Sequence, residues 1–463
     1  MKITRRNILK TFGGLSFGSL LPLVSAGSNN VGRADVNKNN VRTDVLVVGG
    51  GPAGITAALQ SASADCSTTL VEFDSQLGGT TTTGGVAFPG LFHAWGKQVI
   101  SGLGWELVKE TVTLNGSDLP DFTIPTGKNH SKHQVIINPY LYALLAEEKC
   151  LDAGVHLRYY ETPVAAIFNG KEWKVDMVGK GTRVCIICKQ IIDCTGNAAV
   201  TSLAGFKVLR EEEIQPGTLM YRMGGYDFNS LDIDLYKIKY QEALSNGVFD
   251  KHIFFGGIER VLDGSHVSRE RNMSHNHIPG ADSTTSETHT STNIKARKEA
   301  LKMLRFIKEL PGGEHTYIDR MCTETAVRET YRADGLHVIT EEEYVTGKVF
   351  DDAIAYTFYP IDVHDENGVT PKHLEEGIVP TIPLSALIPK NSKNFLVAGR
   401  CVSSDRKANS ALRVQASCMA MGQAAGAAAA MAVRTNKDIV DIPINDIKTL
   451  IAEYGGIVPA SNA

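Results

Sequence analysis

The sequence predicts an α/β protein, a doubly wound dinucleotide-binding sheet interrupted by an inserted α+β domain. Three observations carry that prediction. TDVLVVGG, GPAGITAALQSASA and TTLVEF read as strand, small-residue helix and strand, one βαβ unit. A further apolar run, NFLVAGR at Asn394 to Arg400, resumes the sheet late in the chain. Between them, from about Phe206 to Tyr359, strands mix with a polar helical segment, ARKEALKMLRFIKEL, without a second dinucleotide pattern. A chain of 463 residues also exceeds one ordinary core.

Taken in order, residues 1–26 read as a signal peptide. The start is basic, an apolar stretch runs from about Thr11 to Val24, and no acidic residue occurs before Asp35. That stretch is short for a bilayer crossing, and Val24-Ser25-Ala26 has the small-residue pattern of a cleavage site. Thr4-Arg5-Arg6-Asn7-Ile8-Leu9-Lys10 resembles the twin-arginine motif, which directs already folded proteins across the membrane. Residues 27–42 are polar and read as a linker, with order beginning at Thr43. The expected location is periplasmic or secreted, and no other stretch reads as a membrane span.

Residues 43–205 form the first part of the dinucleotide domain. NPYLYALLAEEKCLDAG has helical spacing at Leu141, Leu144, Leu145 and Leu151, with Gly154 as its stop. HLRYYET, PVAAIFNG, EWKVDMVG and RVCIICKQIID then alternate with turn signals as a meander that returns to the main sheet. Cys185 and Cys188 lie on one such strand and point to opposite faces, which disfavours a metal or redox pair. Residues 206–359 are the insertion and 360–435 the second part of the domain. Its helix from Ala411 to Val433 is apolar on nearly every side, begins at Asn409 or Ser410 as N-cap, and carries small residues for close packing. Residues 436–463 read as a peripheral tail. The formal charge of −4, without a basic stripe, gives no footprint for nucleic acid.

The motif with the most chemical content is VLVVGGGPAGITAAL. Gly49, Gly51 and Gly54 fit GxGxxG after a strand and at the start of a helix: the first makes the turn, the second admits a pyrophosphate, the third allows close packing. Glu72 ends the next strand about 20 residues on, placed to accept ribose hydroxyls. The fingerprint serves both NAD and FAD.

Three further features decide between them. Gly78-Gly79 follows Glu72, a DCTGN segment contains Thr195 and Gly196, and AGR ends in Gly399 and Arg400. In this order they resemble the flavoprotein superfamily that includes glutathione reductase and fumarate reductase, over roughly Thr43 to Val433. The resemblance implies a three-layer ββα FAD-binding domain of glutathione reductase type, with these residues along the FAD. GGTTTTGGVAFPG, AVRETYR, AIAYTFYPIDVH and GRCVSSDRKANSALRVQASCMAMGQAAG are similar to bacterial FAD-dependent oxidoreductases. In fumarate reductase relatives with covalent flavin a histidine follows the acid by a few residues; FDSQLGG after Glu72 has none, so the resemblance implies non-covalent FAD. No second fingerprint provides for NADPH.

The candidate catalytic residues are His364, with Asp362 two positions before it; Arg328 in AVRETYR; and Arg406, four positions before Ser410. In fumarate reductase relatives an arginine before a Gly-Ala-Asn-Ser run holds a substrate carboxylate, whereas Lys407 stands here in place of the glycine. The resemblance also puts Ser410 and Arg413 at the flavin end of the apolar helix, as cofactor-binding residues. His93 and Trp95 read as packed loop residues, and His275 and His277 as a Ser/Thr-rich loop without metal-ligand spacing. The expected activity is two-electron dehydrogenation of a small polar substrate, a sugar derivative or an organic acid, with an electron acceptor that the sequence does not identify. The alternatives are an ene-reductase of an unsaturated acid, a non-catalytic electron-transfer flavoprotein and a flavin monooxygenase, from whose acidic GD motif the AGR segment departs.

Overall fold

In the computed structural model, residues 39–460 are described, apart from 126–128, 255, 264–273, 366–367 and 370. The predicted signal peptide lies outside them. The first strand, β1 (Asn39–Val48), starts earlier than expected: Asn39 to Thr43, assigned to the linker or the edge of order, already pair in parallel with Val184 to Cys188. The predicted turn and helix follow as α1 (Pro52–Ser63), then β2 (Thr68–Glu72). Val45 to Val48 have neighbours on both sides and are buried, as a continuous apolar run requires.

Next come α2 (Leu103–Leu114) and α3 (Pro139–Asp152), the latter capped by the Asn138 side chain. The leucine spacing named the helix but not its face. Leu144 and Leu151 are exposed, and Tyr142, Ala143, Leu145, Ala146 and Cys150 are buried. Strands β3 (His156–Tyr159), β4 (Glu161–Phe168), β5 (Trp173–Gly179) and β6 (Thr182–Asp193) complete this part of the sheet. β3 pairs in parallel with β2, so only β4, β5 and β6 form the antiparallel meander. β6 serves both halves, antiparallel to β5 on one side and parallel to β1 on the other. Cys188 is buried and Cys185 half-buried.

The insertion is a three-stranded antiparallel sheet, β7 (Gly217–Gly224) between β8 (Ser274–Ile278) and β9 (Tyr317–Met321). Helices α4 (Ile233–Ser245), α5 (Gly257–Asp263) and α6 (Ser286–Lys308) accompany it. Its core runs from Leu219 to Val327. The segment beyond Arg332, expected in the insertion as far as Tyr359, packs elsewhere: Ile339, Tyr344, Ile354 and Tyr359 join the core around α1. A two-residue strand β10 (His364–Asp365) and then β11 (Phe395–Val397), parallel to β6, lead back to the main sheet.

The long apolar helix is broken. α7 (Arg406–Leu412) is capped by Asp405, whose carboxylate accepts from Ala408 N, and Arg413 ends it. α8 (Gln415–Thr435) starts afresh after Val414. Asn409 and Ser410 are therefore interior to α7 rather than N-caps, because Asp405 supplies the stronger cap upstream. α8 is long and apolar enough to span a bilayer by composition, yet it is buried against α1. A Cβ at Gly422 would stand 2.0 Å from Ala53 O, and one at Gly426 2.5 Å from Ala57 O, so glycine is what lets the helices meet. The tail is not peripheral: α9 (Ile444–Glu453) buries Ile447, Leu450 and Ile451 in the same core. All described residues belong to one compact unit, Lys38–Ala463.

Candidate cofactor and active site

A cavity of about 700 Å³ runs between the glycine turn, the insertion and the start of α8. That size falls within the roughly 300–1,000 Å³ of small-molecule and cofactor sites. Its first end is made by the fingerprint. Gly49 takes φ +101°, and a Cβ there would lie 2.4 Å from Cys194 O, so only glycine turns here. A Cβ on Gly54 would meet Gly49 O at 1.8 Å, which shows its packing role. A Cβ on Gly51 would meet nothing within 4 Å, because this residue faces the cavity. Gly51 is also the N-cap of α1 without a side-chain cap, leaving backbone N–H groups for an anion.

Glu72 lines the same end and is buried; its Oε2 accepts from Gly50 N at 2.6 Å and Oε1 from Asp74 N at 2.9 Å. Burial lifts its carboxyl to about 7 despite those bonds. Gly79 lines the cavity beside Gly51, while Gly78 binds Gly50 O from behind. Thr195, Gly196, Gly399 and Arg400 also line it. Arg400 Nε donates to Gly196 O at 2.7 Å and its NH1 donates to Val327 O, which joins the sheet to the insertion.

The other end is assembled from distant segments. His364 Nε2 lies 3.2 Å from Asp362 Oδ2, although the run before it is irregular rather than the regular strand expected. Burial, helped by Arg328, pushes the imidazole down to about 4, against the pull of Asp362. Burial alone would raise Asp362, but the His364 hydrogen bond and the charges of Arg413 and Arg328 bring it to about 2. Near neutrality the ring is therefore uncharged beside an ionised carboxylate. Its single proton sits on Nε2, donated to Asp362, and Nδ1 presents a lone pair that is buried without a partner.

Arg328 faces the same space, with NH1 donating to Pro216 O at 2.5 Å and Thr218 Oγ1 at 2.9 Å. Burial and Arg413 lower its guanidinium to about 9. Arg413 NH2 donates to Asp362 O at 3.1 Å and stands 3.7 Å from Asp362 Oδ2, and its Nε is buried without a partner.

Two predicted residues lie behind this end rather than in it. Arg406 does not line the cavity: its Nε donates to Glu329 Oε1 at 3.0 Å. Buried Glu329 also accepts from Gln215, whose Oε1 receives His364 N at 3.0 Å and Arg413 NH2 at 3.3 Å. Arg406 is thus the counter-ion of the network that holds the site. Ser410, also outside the lining, accepts from Asp362 N at 2.9 Å and fixes that loop to α7. Arg413 lies at the break between helices, not in the first turn of the apolar helix, which removes the conflict between a cation and a helix N-terminus. The start of α8 has no side-chain cap, and Gln415 ties it to the segment after Gly79 by accepting from Thr81 Oγ1 and donating to Val86 O, both at 2.7 Å.

Sequence reasoning missed His277, which sits on β8 rather than in a loop, lines the cavity, and places its ring 5.4 Å from that of His364. Only the alternation of SHNHI could have signalled the strand. Trp95 is satisfied by donating to Ile378 O, whereas His93, stacked on Phe122, lies on a two-residue strand with Nδ1 buried and unpartnered. Among the described residues no group of side chains could hold a metal ion.

The open face at Gly51, the uncapped helix starts and the acid at Glu72 fit a dinucleotide along the cavity. A family model described as FAD dependent oxidoreductase matches residues 44–451. The chain belongs to that family. The oxidoreductase therefore uses FAD as its cofactor. No curated protein matches the chain. Among solved structures, the oxidoreductase is similar to a geranylgeranyl bacteriochlorophyll reductase-like protein from Thermoplasma acidophilum, at 15% identity and TM-score 0.41 over 90% of this chain and 83% of that one. It is also similar to the OxyS anhydrotetracycline hydroxylase from Streptomyces rimosus, at 12% identity and TM-score 0.45 over 89% and 66% of the two chains. For p-nitrophenol 4-monooxygenase PnpA from Pseudomonas putida the values are 10% and 0.38, over 89% and 84%.

Proposed function

We propose that this oxidoreductase is an exported dehydrogenase of a small polar substrate, with non-covalent FAD lying from Glu72 to the start of α8 in a domain of glutathione reductase type. The observation that carries the reading is His364, which lines the cofactor cavity, is held at Nε2 by Asp362 and keeps a buried Nδ1 without a partner. Bound FAD supplies the two-electron acceptor. The chain's own residues do the rest. His364 Nδ1 takes the proton of the substrate hydroxyl, and Asp362 stabilises the imidazolium that results. Arg328 and Arg413 orient polar groups of the substrate, while the Glu329–Gln215 network keeps His364 and Arg413 in place.

The ene-reductase alternative rested on Arg406, which is engaged by Glu329. A cavity lined by both His364 and Arg328 also favours catalysis over a purely electron-carrying role. Twin-arginine export of the folded, FAD-loaded protein to the periplasm accords with the basic segment at Arg5-Arg6. The test is anaerobic: purified yellow protein is mixed with sugars, alcohols and organic acids, and loss of visible flavin absorbance is followed. Bleaching by one class supports dehydrogenation. A protein that no reduced compound bleaches, but that unsaturated acids reoxidise after chemical reduction, is a reductase instead.

A further inference from the structure

Two polar atoms at the His364 end lack partners, and they differ in kind. Arg413 Nε is a cationic N–H donor and His364 Nδ1 is a neutral lone pair. Both side chains converge on the same oxygen: Asp362 Oδ2 is 3.2 Å from His364 Nε2 and 3.7 Å from Arg413 NH2. His364 and Arg413 also both line the cavity, so one small molecule that met both would carry an acceptor for the guanidinium next to a donor for the imidazole.

Charge narrows the acceptor. Arg328 and Arg413 line this end with Asp362 as the carboxylate between them, while Glu329 behind them is already taken by Gln215 and Arg406. Among these groups the cavity wall itself carries two guanidiniums against one carboxylate, while Arg406 behind it is held by both Glu329 and the exposed Glu213. Burial lowers the Arg328 guanidinium, and a bound anion would relieve that cost. A sugar hydroxyl could accept from Arg413 but would bring no negative charge.

We propose that the substrate is a small 2-hydroxy acid, its carboxylate received by Arg413 beside Arg328 and its hydroxyl facing Nδ1 of His364. This rests on the dehydrogenase reading above and narrows it. In the reaction the hydroxyl O–H bond breaks with its proton going to Nδ1. The carbinol C–H bond breaks with its hydrogen and both electrons going to the family's FAD, and the new C=O bond leaves a 2-keto acid.

Oxamate tests the assignment without turnover, because it pairs a carboxylate with an amide N–H donor. Its binding to the FAD-loaded protein is read from the perturbed flavin spectrum, against oxamide, which is neutral and of similar shape. The expected result is that oxamate binds at least tenfold more tightly than oxamide, and that Arg413→Met weakens oxamate at least tenfold with FAD content unchanged. Equal binding of the two probes overturns the proposal, and this comparison needs no variant. Arg413→Met that loses FAD in proportion to oxamate also overturns it, since Arg413 would then serve the cofactor. Bleaching by neutral sugars but not by glycolate or lactate removes the 2-hydroxy acid and leaves the dehydrogenase standing. Tight oxamate binding with no bleaching by any compound removes the dehydrogenase and leaves the carboxylate site.

Discussion

At one end of the cavity the glycines of a single short stretch, Gly49 to Gly79, shape the lining through backbone geometry. At the other end Arg328, Asp362, His364 and Arg413 come from separate segments and act through side-chain charge. The first end is built to hold a shape that many proteins share. The second is tuned by burial and by what each charge faces, which is where one chemistry is separated from another.

If the two ends are separate devices, damage to one should spare the other. The largest effect is expected for His364→Ala, which should lower kcat/KM by about 10²–10⁴ while the purified variant keeps its FAD. Gly51→Val should do the reverse. The backbone there is ordinary, at φ −71°, and a Cβ would meet no protein atom within 4 Å, so the fold should persist while FAD affinity, measured by titration, falls by roughly a hundredfold. Gly54→Ala, three residues on, should instead destabilise the apoprotein by about 1–3 kcal/mol, seen in thermal or denaturant unfolding, because its Cβ meets backbone.

The legibility of the two ends differed for a physical reason. A turn that needs positive φ, an open approach and a close contact leaves glycines at fixed spacing, so Gly49, Gly51 and Gly54 could be read from the chain. His364 and Arg328 were legible only through a resemblance, since their roles depend on neighbours far away in sequence. Arg406 shows the limit. Its position beside Ser410 was read correctly, but Glu329, which takes its charge, is 77 residues away. His277 was hidden because a five-residue strand in a polar stretch has too short a period to stand out. The break before α8 was invisible because no proline marks it.

A smaller effect concerns the proton. Nδ1 must be bare for the reaction, so activity should be flat near neutrality and fall as pH drops through about 4. Asp362 holds that value up, so Asp362→Asn should move the acid limb of the pH–rate profile to lower pH and slow turnover by about tenfold or more as the tautomer is released. The smallest effect lies outside both ends. His93, stacked on Phe122 with Nδ1 buried and unpartnered, is pushed by burial to about 4, below its ordinary range. Its contribution to stability is present above the unfolded pKa and lost as pH falls from about 6.5 towards 4. His93→Phe should flatten the decline of Tm in that window without changing FAD binding.

The separation of the two ends is the central claim, and paired measurements on Gly51→Val and His364→Ala test it most directly. For each variant, FAD content is measured first and anaerobic flavin bleaching by the substrate second. The account predicts that Gly51→Val folds but loses FAD, and that His364→Ala keeps full FAD and bleaches at no more than about a hundredth of the wild-type rate. A His364→Ala protein that bleaches at the wild-type rate, or loses FAD as Gly51→Val does, would contradict it.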